Sequence, residues 1–171
     1  MRIFKEEQRF NQLWLIILMI ISAIIPLILI INEYIKHPKR FSITNLVILI
    51  SLVILSCGLI FIFKLSTRID DIGIHYKFFP FHITFKTIKW QTITKASVRN
   101  YDPISEYGGW GLKGGALWNS AKGKAINVSG DMGIQLELKN EKKLLIGTQN
   151  PEKAKSTLSY YKTKLKTTTN G

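Results

Sequence analysis

The sequence predicts a two-helix transmembrane hairpin joined to a mainly-β soluble domain that ends in one helix. Three observations carry this reading. Two uncharged apolar runs occupy Leu13–Ile31 and Leu46–Phe63. After Leu65 apolar residues alternate with polar ones, the period of a half-buried strand. Near the C-terminus they recur instead at helical spacing. The implied division is 1–65 for an N-terminal tail and the hairpin, and 66–171 for the β domain.

The first run, 13–31, is broken only by Ser22 and Pro26. At a rise of 1.5 Å per residue it covers roughly 28 Å, close to the hydrocarbon thickness of a bilayer. A secretory signal has a shorter apolar stretch and a small-residue cleavage site, whereas Pro26 here is followed by Leu-Ile-Leu-Ile-Ile. The second run, 46–63, ends at Lys64, which can snorkel. The connection from Asn32 to Asn45 is long enough to reverse the chain and too short for a domain. Ser22, Ala23, Ser51, Ser56 and Gly58 are small enough to let two helices approach closely in lipid. Cys57, the single cysteine, reads as a small apolar residue of the second run.

The chain carries a formal charge of +13, of which residues 66–171 contribute +9. Such a balance suits an anionic surface, and for a tethered domain the nearest one is the bilayer. Arg2, Lys5, Arg9, Lys64, Arg68 and Lys77 flank one side of the spans; Lys36, Lys39 and Arg40 lie in the connection. The excess places the β domain and both termini on the cytoplasmic face of a multi-pass protein. On that face the sequon Asn127-Val128-Ser129 has no meaning.

Within the β domain, Ile74, Tyr76 and Phe78 alternate with His75 and Lys77, and Ile83 and Phe85 with Thr84 and Lys86. The apolar phase then shifts to Ile88 and Trp90, which predicts a bulge near Thr87. Ala96 and Val98 form another strand pattern. Ile134, Leu136 and Leu138 form the clearest one, turned back at Asn140-Glu141-Lys142 into 143–146. Asn150, Pro151 and Glu152 are helix-start residues. Ala154, Leu158, Tyr161 and Leu165 then line one face of a basic helix. That stripe covers one end of a small β-barrel or lies on lipid.

The order of short strands followed by one C-terminal helix resembles the pleckstrin-homology superfold. It is similar in particular to small bacterial membrane proteins that append a PH-like domain to a helix hairpin. The segments carrying the likeness are 73–81, Ile88-Lys89-Trp90, Glu106-Tyr107-Gly108-Gly109-Trp110-Gly111, Asn127-Val128-Ser129-Gly130 and 144–149. The resemblance implies a barrel of six or seven antiparallel strands with a C-terminal helix. It implies no activity.

The segment from Pro103 to Gly123 reads as a long loop, with five glycines from Gly108 through Gly115 and the aromatics Tyr107, Trp110 and Trp118. Loops of this length in compact domains are often functional. A candidate interaction loop is therefore Glu106, Tyr107, Gly108, Gly109, Trp110, Gly111, Lys113 and Trp118. Trp110 would insert at headgroup level or into a partner, Lys113 would meet an anionic group, and Glu106 would fix the loop. The bland reading gives the glycines to an irregular crossover and the tryptophans to packing. Gly109 to Gly114 has dinucleotide-fingerprint spacing but no βαβ context.

No catalytic constellation emerges. His37, His75 and His82 lack metal-ligand spacing, Asp70 and Asp71 suit a turn before Gly73, and no hydroxyl or thiol is paired with a base. The lysines are dispersed, not gathered in a nucleic-acid recognition element. The sequence thus reads as a non-enzymatic, cofactor-free binding or assembly module. Its partners would be the bilayer, anionic headgroups, another membrane protein or a second copy, and no nucleic acid. The rivals are a small-ligand or enzyme site on the Gly/Trp loop, and a purely structural subunit of a membrane complex.

Overall fold

A computed structural model describes residues 2–38, 42–114 and 123–166, the last five by backbone alone. The chain divides into two compact units, Phe10–Phe63 and, together, Met1–Arg9 and Lys64–Gly171.

The first unit is a helix pair. Helix α1 (Leu13–Lys36) carries Pro26 within it. Helix α2 (Ile43–Gly58) starts at Ser42, whose side chain accepts from the Thr44 amide, and continues through a 3₁₀ turn, Leu59–Ile62. Ser22 Oγ and Cys57 Sγ meet at 3.9 Å, so two of the small side chains mark where the helices approach. Phe10 and Phe63 meet edge-to-face at 6.4 Å, as expected for antiparallel helices. Leu13–Lys36 and Ile43–Ile62 are both long and apolar enough to cross a membrane. Most of their apolar side chains are exposed and the rest half-buried, Leu15 alone among the described residues being buried. A core helix of a water-soluble protein would hide such a surface.

The second unit holds two sheets. Strands β1 (Phe4–Arg9), β2 (Lys64–Ile69), β3 (Gly73–Phe79) and β4 (Lys86–Lys89) form an antiparallel sheet in chain order. The segment read as a tail is therefore its first strand. Arg9 opposes Lys64 and Phe4 opposes Ile69, so the whole helix pair is inserted between two adjacent strands. The inward positions of β1 are Phe4, Glu6 and Gln8. Gln8 Nε2 donates to the carbonyl of Gly147, while Glu6 accepts from Thr148 Oγ1, Gln149 N and Asn150 Nδ2.

The other sheet comprises β5 (Ile93–Asn100), β6 (Gly111–Lys113), β7 (Lys124–Asn127), β8 (Met132–Leu138) and β9 (Lys143–Gly147). Its order is β5-β8-β9-β7-β6, with β7 and β9 parallel. Nine strands among the described residues thus form two sheets that do not close as a barrel, in place of six or seven antiparallel strands. The difference arises because β1 precedes the helices, β6 lies inside the expected loop, and β7 returns alongside β9.

Two local expectations are corrected. Ile83 and Phe85 belong to an irregular connection between β3 and β4, and both are exposed, so their alternation follows no sheet face. The β3–β4 register runs unbroken past Thr87; the irregularity falls instead between Ile93 and Lys95. The turn at Asn140–Lys142 is as expected, with Glu141 at φ 62° and its amide donating to the Leu138 carbonyl.

Helix α3 (Pro103–Tyr107) is a single short turn, and helix α4 (Pro151–Lys166) closes the described chain. Ala154, Leu158 and Tyr161 are buried, so this part of the stripe packs on the β unit, while the side chain of Leu165 lies outside the described residues. Tyr161 stacks on Trp90 at 5.3 Å and donates its hydroxyl to the Arg2 carbonyl. Asn150 uses its side-chain amide on Glu6.

Candidate functional site

The segment read as one long loop is built in pieces. Asp102 caps α3 by accepting from the amides of Ile104 and Ser105, both at 2.9 Å. Pro103 suits the first turn because a missing N–H costs nothing there. Gly108 ends the turn at φ 71°, a left-handed conformation that side chains resist. Gly111–Lys113 then becomes strand β6, its Gly111 amide donating to Asn127 Oδ1 at 2.9 Å.

Within this frame Glu106 receives two hydrogen bonds from Arg99, at 3.1 and 2.8 Å, and one from the Asp102 amide. A bidentate guanidinium–carboxylate pair is directional and holds the short helix against β5. It also raises the affinity of Arg99 for its proton, with the hydrogen bond to Glu106 the largest cause. Tyr107 is buried, edge-on to Tyr101 at 5.9 Å, with its hydroxyl accepting from Arg99. Tyr101 accepts from Asn127 Nδ2 at 2.8 Å, and burial pushes its pKa up to about 12. The indole of Trp110 donates to the Gly130 carbonyl at 3.1 Å.

The structure therefore brings Glu106 and Tyr107 against Arg99 and Tyr101, and Gly111 against Asn127, while Trp110 reaches Gly130. These contacts give Glu106 and Tyr107 a task in packing. Lys113 is partly exposed on β6. Gly109, at φ 113°, follows the cap. Trp118 lies outside the described residues. Asn127, the first residue of the sequon, is fully buried.

Asp70 lies in the turn before Gly73 as the sequence predicts, and there it gathers a polar cluster that the sequence reading did not foresee. Asp70 is buried at the β2–β3 turn, where its Oδ1 accepts from the amides of Ile72 and Gly73 and meets His75 Nε2 at 2.9 Å. Arg68 Nε lies 2.9 Å from Oδ2. Burial opposes ionisation of Asp70, yet the His75 bond and the two amides outweigh it and hold its pKa below 3.8. Trp90 Nε1 donates to the Asp70 carbonyl at 2.8 Å. Gly73 is required here, because a Cβ would strike the Ile88 carbonyl. The available signal was an acid two residues after an arginine, Arg68-Ile69-Asp70, just before a turn.

His75 also meets Thr87 Oγ1 at 2.8 Å, whereas His82 Nδ1 accepts from the Phe78 amide and its ring lies edge-on to Tyr76. The two histidines thus serve different local contacts. Among the described residues no group of three or more His, Cys, Asp or Glu is arranged to hold a metal. No family model, curated protein or solved structure matches the chain.

Proposed function

We propose that the chain is a membrane-anchored binding or assembly module, held at the cytoplasmic face by its two apolar helices. The observation that carries this reading is the insertion of those helices between paired strands, Arg9 opposite Lys64. A hairpin that leaves and re-enters one sheet returns to the side it started from, so both its ends belong to the leaflet facing the β unit. The excess of Lys and Arg at those ends favours the cytoplasmic side. The bilayer is then the permanent partner, with anionic headgroups, another membrane protein or a second copy as further ones. A PH-like ancestry of bacterial type remains the proposed lineage, supported by antiparallel strands leading into one C-terminal helix.

Two measurements on intact membranes test the proposal. Alkaline carbonate washing should leave the chain in the membrane pellet; release into the supernatant would refute anchoring. A photocrosslinker at position 113 should give a discrete protein or lipid adduct. Failure to form any adduct, together with a co-purifying metabolite, would replace the binding module by a ligand site.

A further inference from the structure

The β3–β4 connection, residues 80–85, displays large apolar side chains at the surface of the β unit. Ile83 is 81% exposed and Phe81 61%, with Phe79 and Phe85 also exposed beside them. This display is built into the fold. The His82 amide donates to the Phe78 carbonyl at 2.8 Å, the Phe78 amide donates to His82 Nδ1, and Phe81 stacks on buried Phe78 at 5.9 Å. An ordered loop that exposes four large apolar residues together needs something to cover them.

The register says where the loop lies. Phe79 opposes Lys64 across β3–β2, and Lys64 opposes Arg9 across β2–β1. Arg9 and Lys64 are also the residues at which the strands give way to the apolar helices. The loop therefore leaves the sheet at the end where the chain runs into its two candidate spans. The β2–β3 turn at Asp70 lies at the opposite end.

Cations flank it. Lys77 Nζ sits 5.5 Å from the centroid of the Phe85 ring, Lys86 opens β4, and Lys64, paired with Glu7 at 3.0 Å, opens the neighbouring strand β2. Burial first, and Lys86 second, lower the pKa of His82 below 6.5, so the imidazole in the loop is neutral at pH 7. Aromatic and aliphatic tips ringed by lysines match a headgroup region, where rings sit at the boundary and ammonium groups meet phosphates.

We propose that residues 79–85 form an interfacial wedge that enters the leaflet adjoining the β unit. Ile83 and Phe81 reach the acyl boundary, and Lys77 and Lys86 stay at the phosphates. The wedge rests on the reading of the helices as membrane spans. It adds a third point of attachment that would restrain the β unit against rotation on its tether.

The test uses the full chain with Cys57→Ser, reconstituted into vesicles of phosphatidylcholine and phosphatidylglycerol. Single cysteines carrying a nitroxide are placed by Ile83→Cys, Leu52→Cys and Lys95→Cys, all at exposed positions, so folding is retained. Collision with oxygen and with a water-soluble nickel chelate reports depth. The wedge predicts Leu52 deep, Lys95 aqueous, and Ile83 in between, about 5–10 Å into the boundary. Ile83 as aqueous as Lys95, with Leu52 deep, would overturn the wedge and spare the spans. Ile83 shielded from both reagents would assign the patch to a protein partner instead of lipid. Leu52 in water would remove the spans and the wedge together.

Discussion

Arg9 and Lys64 lie directly opposite one another at the end of the β1–β2 ladder, although the entire helix pair separates them in sequence. The β unit is thus assembled from both sides of the candidate membrane segment. The same ladder sets Glu7 opposite Ser66, with Ser66 Oγ 3.4 Å from the Glu7 carboxylate. Directly opposed strand residues are about 4.5–5.5 Å apart at Cα, within the reach of a disulfide. In a Cys57→Ser background, Glu7→Cys with Ser66→Cys should crosslink within one chain under mild oxidation. The pair Glu6→Cys with Ser66→Cys, on opposite faces, should not. Non-reducing electrophoresis separates the two outcomes.

Glu6 ties β1 to the end of β9 and the start of α4 through three accepted hydrogen bonds. Glu6→Ala leaves those donors buried or half-buried without their acceptor. The expected loss is about 2–3 kcal/mol of stability. Glu6→Gln, which keeps one acceptor oxygen, should lose less. Denaturant unfolding in detergent micelles, followed by the fluorescence of buried Trp90, measures both.

Asp70 links the β2–β3 turn to His75 and Arg68, and its pKa is depressed below 3.8. For a depressed carboxylate the native state binds fewer protons than the unfolded chain near that pH. Its contribution is therefore present above about 3.8 and lost as pH falls through the folded value. Asp70→Asn should destabilise the β unit by about 2 kcal/mol at neutral pH. The difference from the unsubstituted chain should shrink as pH falls below 3.8, which unfolding midpoints at several pH values would record.

Tyr101 titrates in the opposite sense. Its pKa of about 12 lies above the ordinary 10, mainly through burial, so the unfolded chain releases this proton first. Stability should be intact below pH 10 and decline as pH rises towards 12. Absorbance titration of the phenolates should show a late step that disappears in Tyr101→Phe. That substitution also removes the acceptor for Asn127 and should cost about 1 kcal/mol.

The helices were legible because an uncharged apolar run of bilayer length has few other uses. The strands around Ile74, Ile134 and Leu145 were legible for a similar reason, since their buried positions are apolar. Strand β1 was not: two of its three inward residues, Glu6 and Gln8, are polar and are satisfied by partners almost the length of the chain away. Long-range hydrogen bonding leaves no local period. Asp70 was legible as a turn residue before Gly73, but its burial and its contact with His75 were not, because a buried carboxylate with local donors looks like any turn acid. The segment around Glu106 and Trp110 was visible as unusual. Its contacts with Arg99, Asn127 and Gly130 depend on β5, β7 and the turn before β8, which spacing alone does not reveal. Ile83 and Phe85 misled through their alternation, which here belongs to a loop that exposes both.

The central claim is that the helices cross a bilayer as a hairpin and return the chain to the side of the β unit. Impermeant thiol labelling of sealed, uniformly oriented vesicles tests it most directly. In a Cys57→Ser background, single cysteines are introduced by Lys5→Cys in β1, Pro38→Cys in the connection and Glu152→Cys in α4. The account predicts that positions 5 and 152 react from one face and position 38 only from the other. Reaction of all three from the same face, or of 5 and 152 from opposite faces, would contradict it.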